Sequence, residues 1–405
     1  MKKIFILLMT ILSCLAIYGQ QSENIQDYRR SSLYSLLINH DEAKYSEEIK
    51  NVFFSIPIPE KFDNHDLSVK VVTSDLKKED EDNITAFLAN NYIAHRLIAR
   101  WFNRDVETGE CDVELIKQRG YYDADFFDVE LAKHSLRGNV ILADAGEELI
   151  GNTFILVNDI RYVDKENASK AASIIIKSLG AIASGLLGGS LGSDVADMAD
   201  GLGNLAAEIK GFRVNITSYL YRLDWNEEIA KDFYENYYIN QGEKNDVKRQ
   251  SFITSDSFKL TYVGKTSVQS GKTSMEGVGY DPISMIRKVC ARAIDESIVK
   301  LQRTYDEFKV KTPIYSVKPY LTAKIGMKEG VSASSKYEVL EQEFSENGTI
   351  EYNRVGVIVP VPNKIWDNRY MAMEENAIGS DLNETTFRII SGKDLYPGML
   401  IREIK

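Results

Sequence analysis

The stretch Gly188-Gly189-Ser190-Leu191-Gly192 has the G-x-S-x-G spacing that places a nucleophilic serine on a tight turn in α/β-hydrolases. In that fold the histidine that takes the serine proton follows the serine in the chain, because a late loop carries it. This sequence has no histidine after His134. Ser190 therefore has no base in the expected order, and the sequence predicts an ordinary serine.

Two further stretches match the spacing of phosphate-binding loops. Residues 201–206, GLGNLA, fit the dinucleotide pattern G-x-G-x-x-A, but they lie inside a helical pattern and directly after a segment rich in aspartate, which would repel phosphate. Gly271-Lys272-Thr273 resembles the end of a P-loop, but Thr266 stands where that motif needs a glycine. The sequence therefore predicts no cofactor.

Carboxylates offer a third kind of chemistry, because a pair of them can act as general acid and base in a hydrolase. The candidates are Asp123, Asp125, Asp128, Glu147 and Glu148. Acidic residues near Gly-Tyr-Tyr and Gly-Glu-Glu are more often loop and cap residues, and the geometry of a pair cannot be read from a sequence. A carboxylate-dependent hydrolase is kept as an alternative.

The histidines predict neither a metal site nor a catalytic one. His40, His65, His95 and His134 are scattered, and no Cys/His cluster has the spacing of a zinc site. His95 lies in ITAFLANNYIAHRLIARWF, where apolar and aromatic residues recur at helical spacing. We therefore expect His95 to be a hydrogen-bonded helix residue rather than a ligand.

Two cysteines, Cys111 and Cys290, remain once the N-terminal segment is set aside. Cys290 falls on an apolar stripe of a predicted helix, where a buried free thiol is the simplest interpretation. The sequence predicts that the two thiols are unpaired. The stripe consists of Ile286, Val289, Cys290, Ala293, Ser297 and Leu301.

The elements that would position such residues begin after an N-terminal export signal. Lys2 and Lys3 precede the apolar run IFILLMTILSCLAI, which is too short to span a bilayer, and Gly19 offers a signal-peptidase site. Residues 1–19 are therefore predicted to be a signal peptide. The protein is expected in the periplasm or associated with the outer membrane.

Charge excludes one class of partner. The formal net charge is −11, and cleavage after Gly19 would remove two lysines and no acid. A basic surface that could neutralise phosphates is absent from this composition, so nucleic acid is not an expected partner. The expected partner is a protein or a second copy of the chain, with peripheral membrane association as a possibility.

Residues 20–310 alternate strand and helix patterns, which predicts an α/β sandwich. Strands are expected at 33–39, 67–73, 139–144, 153–160, 212–224 and 257–263, and helices at 45–56, 84–103, 125–136 and 282–306. From Lys311 the pattern changes to strands and turns, among them the hairpin signal Asn347-Gly348. Residues 311–405 are therefore predicted to form a small antiparallel β barrel.

A glycine-rich insert at 165–210 interrupts the first region. Residues 171–192 carry one charge, Lys177, so a membrane segment is conceivable, but five glycines would weaken a spanning helix. A buried or partner-facing helical hairpin is the preferred interpretation. Its apolar residues, predicted to form an interaction surface, are Leu179, Ile182, Leu186, Leu187, Val195, Met198 and Leu202.

The order of segments over about 84–306 resembles the family of the curli export channel CsgG, with the TolB N-terminal domain and the flagellar ring protein FlgT as relatives. The resemblance rests on the helix ending in ARWFNR, the strand FRVNITSYLYRLDWNEE and the helix in MEGVGYDPISMIRKVCARAIDESI. The hairpin AKIGMKEGVSASSKYEVLE resembles the end of FlgT-like proteins. The resemblance implies the fold and a role in envelope assembly, and it implies no catalytic residues.

The inserts that form transmembrane β-hairpins in the export channel need strict alternation of apolar residues, which the sequence lacks at 165–210 and 258–280. The leading hypothesis is therefore a non-enzymatic exported envelope protein that acts as an assembly, adaptor or secretion-accessory component. The alternatives are an oligomeric outer-membrane export channel of the curli type and the carboxylate-dependent hydrolase.

Overall fold

The computed structural model describes residues 31–56, 70–73, 76, 80–112, 149–163, 212–271, 282–309, 311–344, 350–375 and 377–404. Their strands form two sheets, one mixed and five-stranded, the other antiparallel and six-stranded. The signal peptide, the helix at 125–136, the strand at 139–144 and the Asn347-Gly348 turn lie outside the described residues.

The mixed sheet contains β1 (Ser32–Ile38), β2 (Lys70–Thr73), β3 (Thr153–Tyr162), β4 (Val214–Leu223) and β5 (Leu260–Ser270) in the order β2-β1-β3-β4-β5. β1 pairs in parallel with both β2 and β3, whereas β3, β4 and β5 pair antiparallel. The chain leaves β1 for β2 on one side and returns to β3 on the other. The region between β1 and β3 is therefore a topological switch point.

Helices cover both faces of this sheet. α1 (Ser46–Ser55) and α6 (Pro282–Thr304) pack on one face, and α2 (Glu81–Asn90), α3 (Ile93–Trp101), α4 (Glu227–Asn236) and α5 (Asp246–Thr254) pack on the other. Alternate residues of the strands enter the two cores, as the period of a β-strand requires: Leu156 joins the α1/α6 core, and Val157 joins the α2–α5 core. This three-layer arrangement confirms the predicted α/β sandwich.

One polar side chain lies in the middle of the sheet. Asn158 on β3 is fully buried, and its amide nitrogen donates to the carbonyl oxygens of Leu36 and Leu156, each at 3.3 Å. Its carbonyl oxygen accepts a 2.7 Å hydrogen bond from the Ser218 hydroxyl of β4. Asn158 therefore links all three central strands and has partners for both ends of its amide.

Two sequence predictions in this region need correction, and two helices were missed. The single helix expected at 84–103 is two helices, because Tyr92 adopts a left-handed conformation with φ of 54° that a continuous helix does not allow. α4 and α5 were not predicted. β5 was expected to end at residue 263 but continues to Ser270, because a strand at the edge of a sheet tolerates polar residues on both faces.

The second sheet contains β6 (Thr312–Pro313), β7 (Leu321–Ala323), β8 (Lys336–Phe344), β9 (Ile350–Pro360), β10 (Thr385–Ser391) and β11 (Leu400–Ile404) in the order β6-β11-β8-β9-β10-β7. A bridge between Ser316 and Thr322 joins the segment after β6 to β7, so the two ends of the sheet meet. The enclosed core includes Tyr337, Ile358 and Phe387. This nearly closed sheet confirms the predicted antiparallel barrel-like region, whereas the domain boundary at residue 310 stays a prediction.

Charged side chains join α6 to the six-stranded sheet. Lys288 is completely buried and contacts Glu375, which lies in the loop between β9 and β10. Arg292 donates to the same carboxylate at 2.8 Å and to the carbonyl oxygen of Tyr370 at 2.9 Å. At the other end of α6, Arg303 holds Glu403 of β11 by two hydrogen bonds of 2.9 and 3.2 Å. α6 thus packs on the mixed sheet and binds the second sheet through ion pairs.

Candidate functional site

The residues that the sequence analysis proposed for interaction or catalysis lie outside the described residues and stay predictions. They are the apolar residues Leu179, Ile182, Leu186, Leu187, Val195, Met198 and Leu202, and the carboxylates Asp123, Asp125, Asp128, Glu147 and Glu148. Ser190, predicted to be an ordinary serine, also lies outside the described residues. Among the described residues, no helix is both long and apolar enough to cross a bilayer.

The expectation for His95 is confirmed. His95 lies in α3, and its Nε2 is 2.9 Å from the carbonyl oxygen of Ser255, with the rings of Tyr92, Phe252 and Phe258 packed around the imidazole. Burial is the main cause that lowers the pKa of His95. The side chain is a core residue with a hydrogen-bond partner.

The expectation for the cysteines is also confirmed. Both thiols are free and buried, and Cys111 lies in the α2–α5 core whereas Cys290 lies in the α1/α6 core. The sheet therefore separates the two sulfur atoms, which prevents a disulfide. Burial raises the pKa of both thiols, so neither is an activated nucleophile.

One candidate feature of the described structure is the outer edge of β5. This strand has 11 residues and pairs with β4 on its inner side. No described strand pairs with its outer side. From Lys265 onward its exposed side chains are Lys265, Ser267 and Gln269, which project from one face.

The beginning of β5 packs against neighbouring elements, whereas no described strand pairs with the outer side of its second half. Tyr262 packs against Tyr221 of β4, and the Tyr221 hydroxyl is 3.1 Å from the Thr85 hydroxyl of α2. Burial raises the pKa of Tyr221 to about 12 and also raises that of Tyr262, so both hydroxyls stay neutral. Beside them Gly264 admits the Tyr305 ring, which a Cβ atom would meet at 2.0 Å.

An open edge presents backbone N–H and C=O groups to any strand that can lie beside it. Natural proteins protect such edges with bulges and with lysine. β5 has one of each: a register shift opposite Leu220 and Tyr221, and the exposed Lys265. Residues 266–270 of β5 carry no charge and so add no further protection of this kind.

A second polar feature lies at the carboxyl ends of β1 and β3. The Asp159 carboxylate is 4% exposed, and its Oδ1 is 2.6 Å from Nε2 of His40. Nε of Arg161 donates to both oxygens of the same carboxylate, at 3.1 and 3.2 Å. Nearby, the Ser46 hydroxyl donates to the amide oxygen of Asn39 at 2.9 Å.

Asn39, His40, Ser46 and Arg161 border a small cleft between the strand ends and the first turn of α1, with room for about one water molecule. Sequence reasoning treated His40 as scattered and did not single out Asp159. One signal was available, since polar residues directly follow the apolar runs LYSLLI and FILV, and parallel neighbours bring such positions together.

No protein-family model and no curated protein matches this chain. The described residues contain no group of three or more His, Cys, Asp or Glu side chains placed to hold a metal ion.

Proposed function

We propose that this chain is a non-enzymatic, exported cell-envelope protein that acts as an assembly or adaptor component by pairing the β5 edges of two copies. The observation that carries the proposal is the 11-residue outer strand with no described partner on its outer side. Strand addition at such an edge supplies main-chain hydrogen bonds, and the opposing side chains set the register.

The charge on β5 disfavours one register, and the proposal uses the neighbouring one. An antiparallel pair centred on Lys265 would place the two Lys265 side chains opposite each other, which is unfavourable. A pair centred on Thr266 instead places Lys265 of each copy opposite Ser267 of the other. This register keeps residues 262–270 paired, and it is isologous, as expected for a two-fold dimer.

The fold proposed for residues 20–310 is of the CsgG and TolB N-terminal type. In support, the described elements α3, β3, β4, β5 and α6 follow the order on which the resemblance rests. The proteins of that family serve in secretion, ring and scaffold assemblies. The same role is proposed for this chain.

The contacts in the cleft do not include a hydrogen bond between the Ser46 hydroxyl and His40. His40 and Arg161 both contact the Asp159 carboxylate, and the Ser46 hydroxyl donates to Asn39. Hydrogen bonds of this kind fix side chains in position. A nucleophilic serine would instead be hydrogen-bonded to the histidine that takes its proton.

Export is tested on the full gene product expressed with its own N-terminus in a Gram-negative host. We expect the protein in the periplasmic fraction or released from the outer-membrane fraction by carbonate, with an intact mass that begins at Gln20. An intact mass that retains residues 1–19, or a cytoplasmic protein, would contradict the proposal for localisation and leave the β5 edge to be tested separately.

Self-association is tested by charge at Ser267. In the proposed register Ser267→Lys places two lysines opposite Lys265 and weakens the dimer roughly threefold to tenfold, whereas Ser267→Glu creates two opposite-charge pairs and strengthens it by a similar factor. Sedimentation velocity over a concentration series measures both effects. Ser391→Lys and Ser391→Glu, at an exposed position of β10, are the matched controls and should leave association unchanged.

A wild-type chain that is monomeric at every concentration would overturn the edge-pairing proposal. The proposal would also be overturned if Ser267→Lys and Ser267→Glu changed the dimer dissociation constant in the same direction. Opposite effects of the two charges are expected only if a lysine lies opposite residue 267 in the dimer.

A further inference from the structure

Strand β10 of the six-stranded sheet is only partly covered by its neighbour β7. Residues 385–387 of β10 pair with β7, whereas β10 continues to Ser391. The chain before β7 forms a turn, which the bridge between Ser316 and Thr322 closes. No described strand therefore pairs with the outer side of residues 388–391, which we call the β10 gap.

Large apolar side chains are exposed at the β10 gap. Ile389 and Ile390 are 50% and 48% exposed, and they are neighbours in one strand. Tyr320 is 56% exposed and comes directly before β7, where Leu321 pairs with Phe387. The same register places Tyr320 beside the first residue of the gap. Contiguous apolar surface of this kind is a common mark of a protein-binding site.

Three exposed cations surround this apolar surface. Arg388 lies in the gap, Lys393 lies in the turn after β10, and Lys318 lies in the turn before β7. Within the part of the chain that the structure describes, none of these three side chains forms a hydrogen bond or an ion pair. A fourth cation, Lys364, has its Nζ 4.0 Å from the centroid of the Tyr320 ring. The gap is therefore basic, in a protein whose formal net charge is −11.

The acidic side chains closest to the gap in the chain and in the sheet are fewer than these cations. Asp394 is exposed and directly follows Lys393. Glu384 lies four residues before Arg388, about 13 Å along the strand, and Glu341 lies on β8, two strands or about 10 Å away. Exposed charges at such distances are largely screened at physiological ionic strength. The charge at the gap therefore favours an acidic partner.

We propose that the β10 gap binds an extended segment of a partner protein, with alternating acidic and apolar residues, by strand addition. The main chain of such a segment pairs with residues 388–391, its apolar side chains contact Ile389 and Ile390, and its carboxylates contact Arg388 and Lys393. The alternation follows from the strand itself, because Arg388 and Ile389 point to opposite faces.

The same features exclude other strands from the gap. A bulge between Ile389 and Ser391 interrupts the register with β9, and bulges and cations at an edge disfavour pairing with an uncharged or a basic strand. The second half of β5 differs, because its residues 266–270 carry neither a charge nor an exposed large apolar side chain. The β10 gap therefore suits a different partner from the β5 edge and does not depend on self-association.

The test uses a fluorescein-labelled peptide of alternating valine and glutamate, titrated with the full-length mature chain and followed by fluorescence anisotropy. We expect saturable binding, and none of a peptide of alternating valine and lysine. Arg388→Gln combined with Lys393→Gln should weaken binding roughly tenfold or more through the loss of charge-assisted contacts. Lys244→Gln combined with Lys259→Gln removes the same charge from exposed positions elsewhere and should change the affinity less than about twofold.

Amide hydrogen exchange locates the bound peptide. Protection should increase at residues 388–391, and Ser267→Lys, which weakens the proposed dimer, should leave the peptide affinity unchanged. The absence of saturable binding, equal weakening by the two pairs of substitutions, or protection that increases at β5 instead would overturn the proposal. Protection of residues 388–391 that grows with protein concentration alone would assign the gap to a second copy and would overturn it as well.

Discussion

The two sheets differ in how their outer strands end up paired. The six-stranded sheet brings its end strands together through Ser316 and Thr322, whereas the mixed sheet ends in β5, whose outer side has no described partner. Closure satisfies backbone groups within one chain, and an open edge leaves them for a second strand. The six-stranded sheet is therefore nearly closed within the chain, and the proposed self-association uses the outer strand of the mixed sheet.

The largest expected effect tests whether the two sheets are separate cooperative units. Trp101 is completely buried under the mixed sheet, and its indole donates to the Thr153 hydroxyl at 3.0 Å. Trp101→Ala should cost about 3–5 kcal/mol. Amide hydrogen exchange should show lost protection in β1, β3 and β4 but not in β8 and β9. Phe387→Ala, inside the second sheet, should give the reverse pattern.

A uniform loss of protection in both sheets, from either variant, would show that the chain unfolds as one unit. The contrast between the sheets would then concern their edges alone.

A smaller effect is expected at the ion pairs that join the sheets. Glu375→Gln removes the carboxylate that contacts buried Lys288, and should cost about 2–3 kcal/mol because a buried ammonium group loses its partner. Glu403→Gln makes the same change at an exposed pair with Arg303, and should cost less than about 1 kcal/mol. Urea unfolding measures both free energies. Equal costs would mean that Lys288 is not buried in solution.

The smallest effect is a pH dependence at the same contact. Burial, followed by Arg292 and Arg369, lowers the pKa of Lys288 to about 8. Between about pH 8 and 10 the unfolded chain then holds a lysine proton that the native state has released, so the native state gains stability as the pH rises. The free energy of unfolding of the wild type, relative to Lys288→Met, should rise by about 1–2 kcal/mol over this range.

A pH dependence of the opposite sign would show that the ion pair, and not burial, controls the pKa of Lys288. If the contact with Glu375 dominated over burial, it would raise the pKa of Lys288, and the wild type would lose stability relative to Lys288→Met as the pH rises. We expect burial to dominate because Lys288 is completely buried while Glu375 is 25% exposed.

Sequence reasoning succeeded where a pattern is local and repeated. The buried stripe of α6, from Ile286 to Leu301, and the strands β1, β3 and β4 follow directly from apolar periodicity. It did not identify α4 and α5 because each of these helices buries a single large side chain, Phe233 or Phe252. One buried residue per helix leaves no period to detect.

Features that depend on distant parts of the chain were not predicted. His40 and Asp159 are 119 residues apart in sequence and meet only because β1 and β3 are parallel neighbours. The break at Tyr92 was missed because the apolar positions of α2 and α3 continue a helical spacing across it. Polar residues in the second half of β5 were taken as the end of a strand, although an edge position explains them.

The hydrogen bonds of Asn158 also decide how the mixed sheet can assemble. A shift of β3 by one residue would turn this amide to the other face, and a shift of two would move it away from the Ser218 hydroxyl. Either misalignment buries an amide without partners, a penalty of about 1–3 kcal/mol that an apolar residue at this position would not impose. Asn158 therefore lowers the number of strand alignments that compete with the native one, at the point where parallel and antiparallel pairing meet.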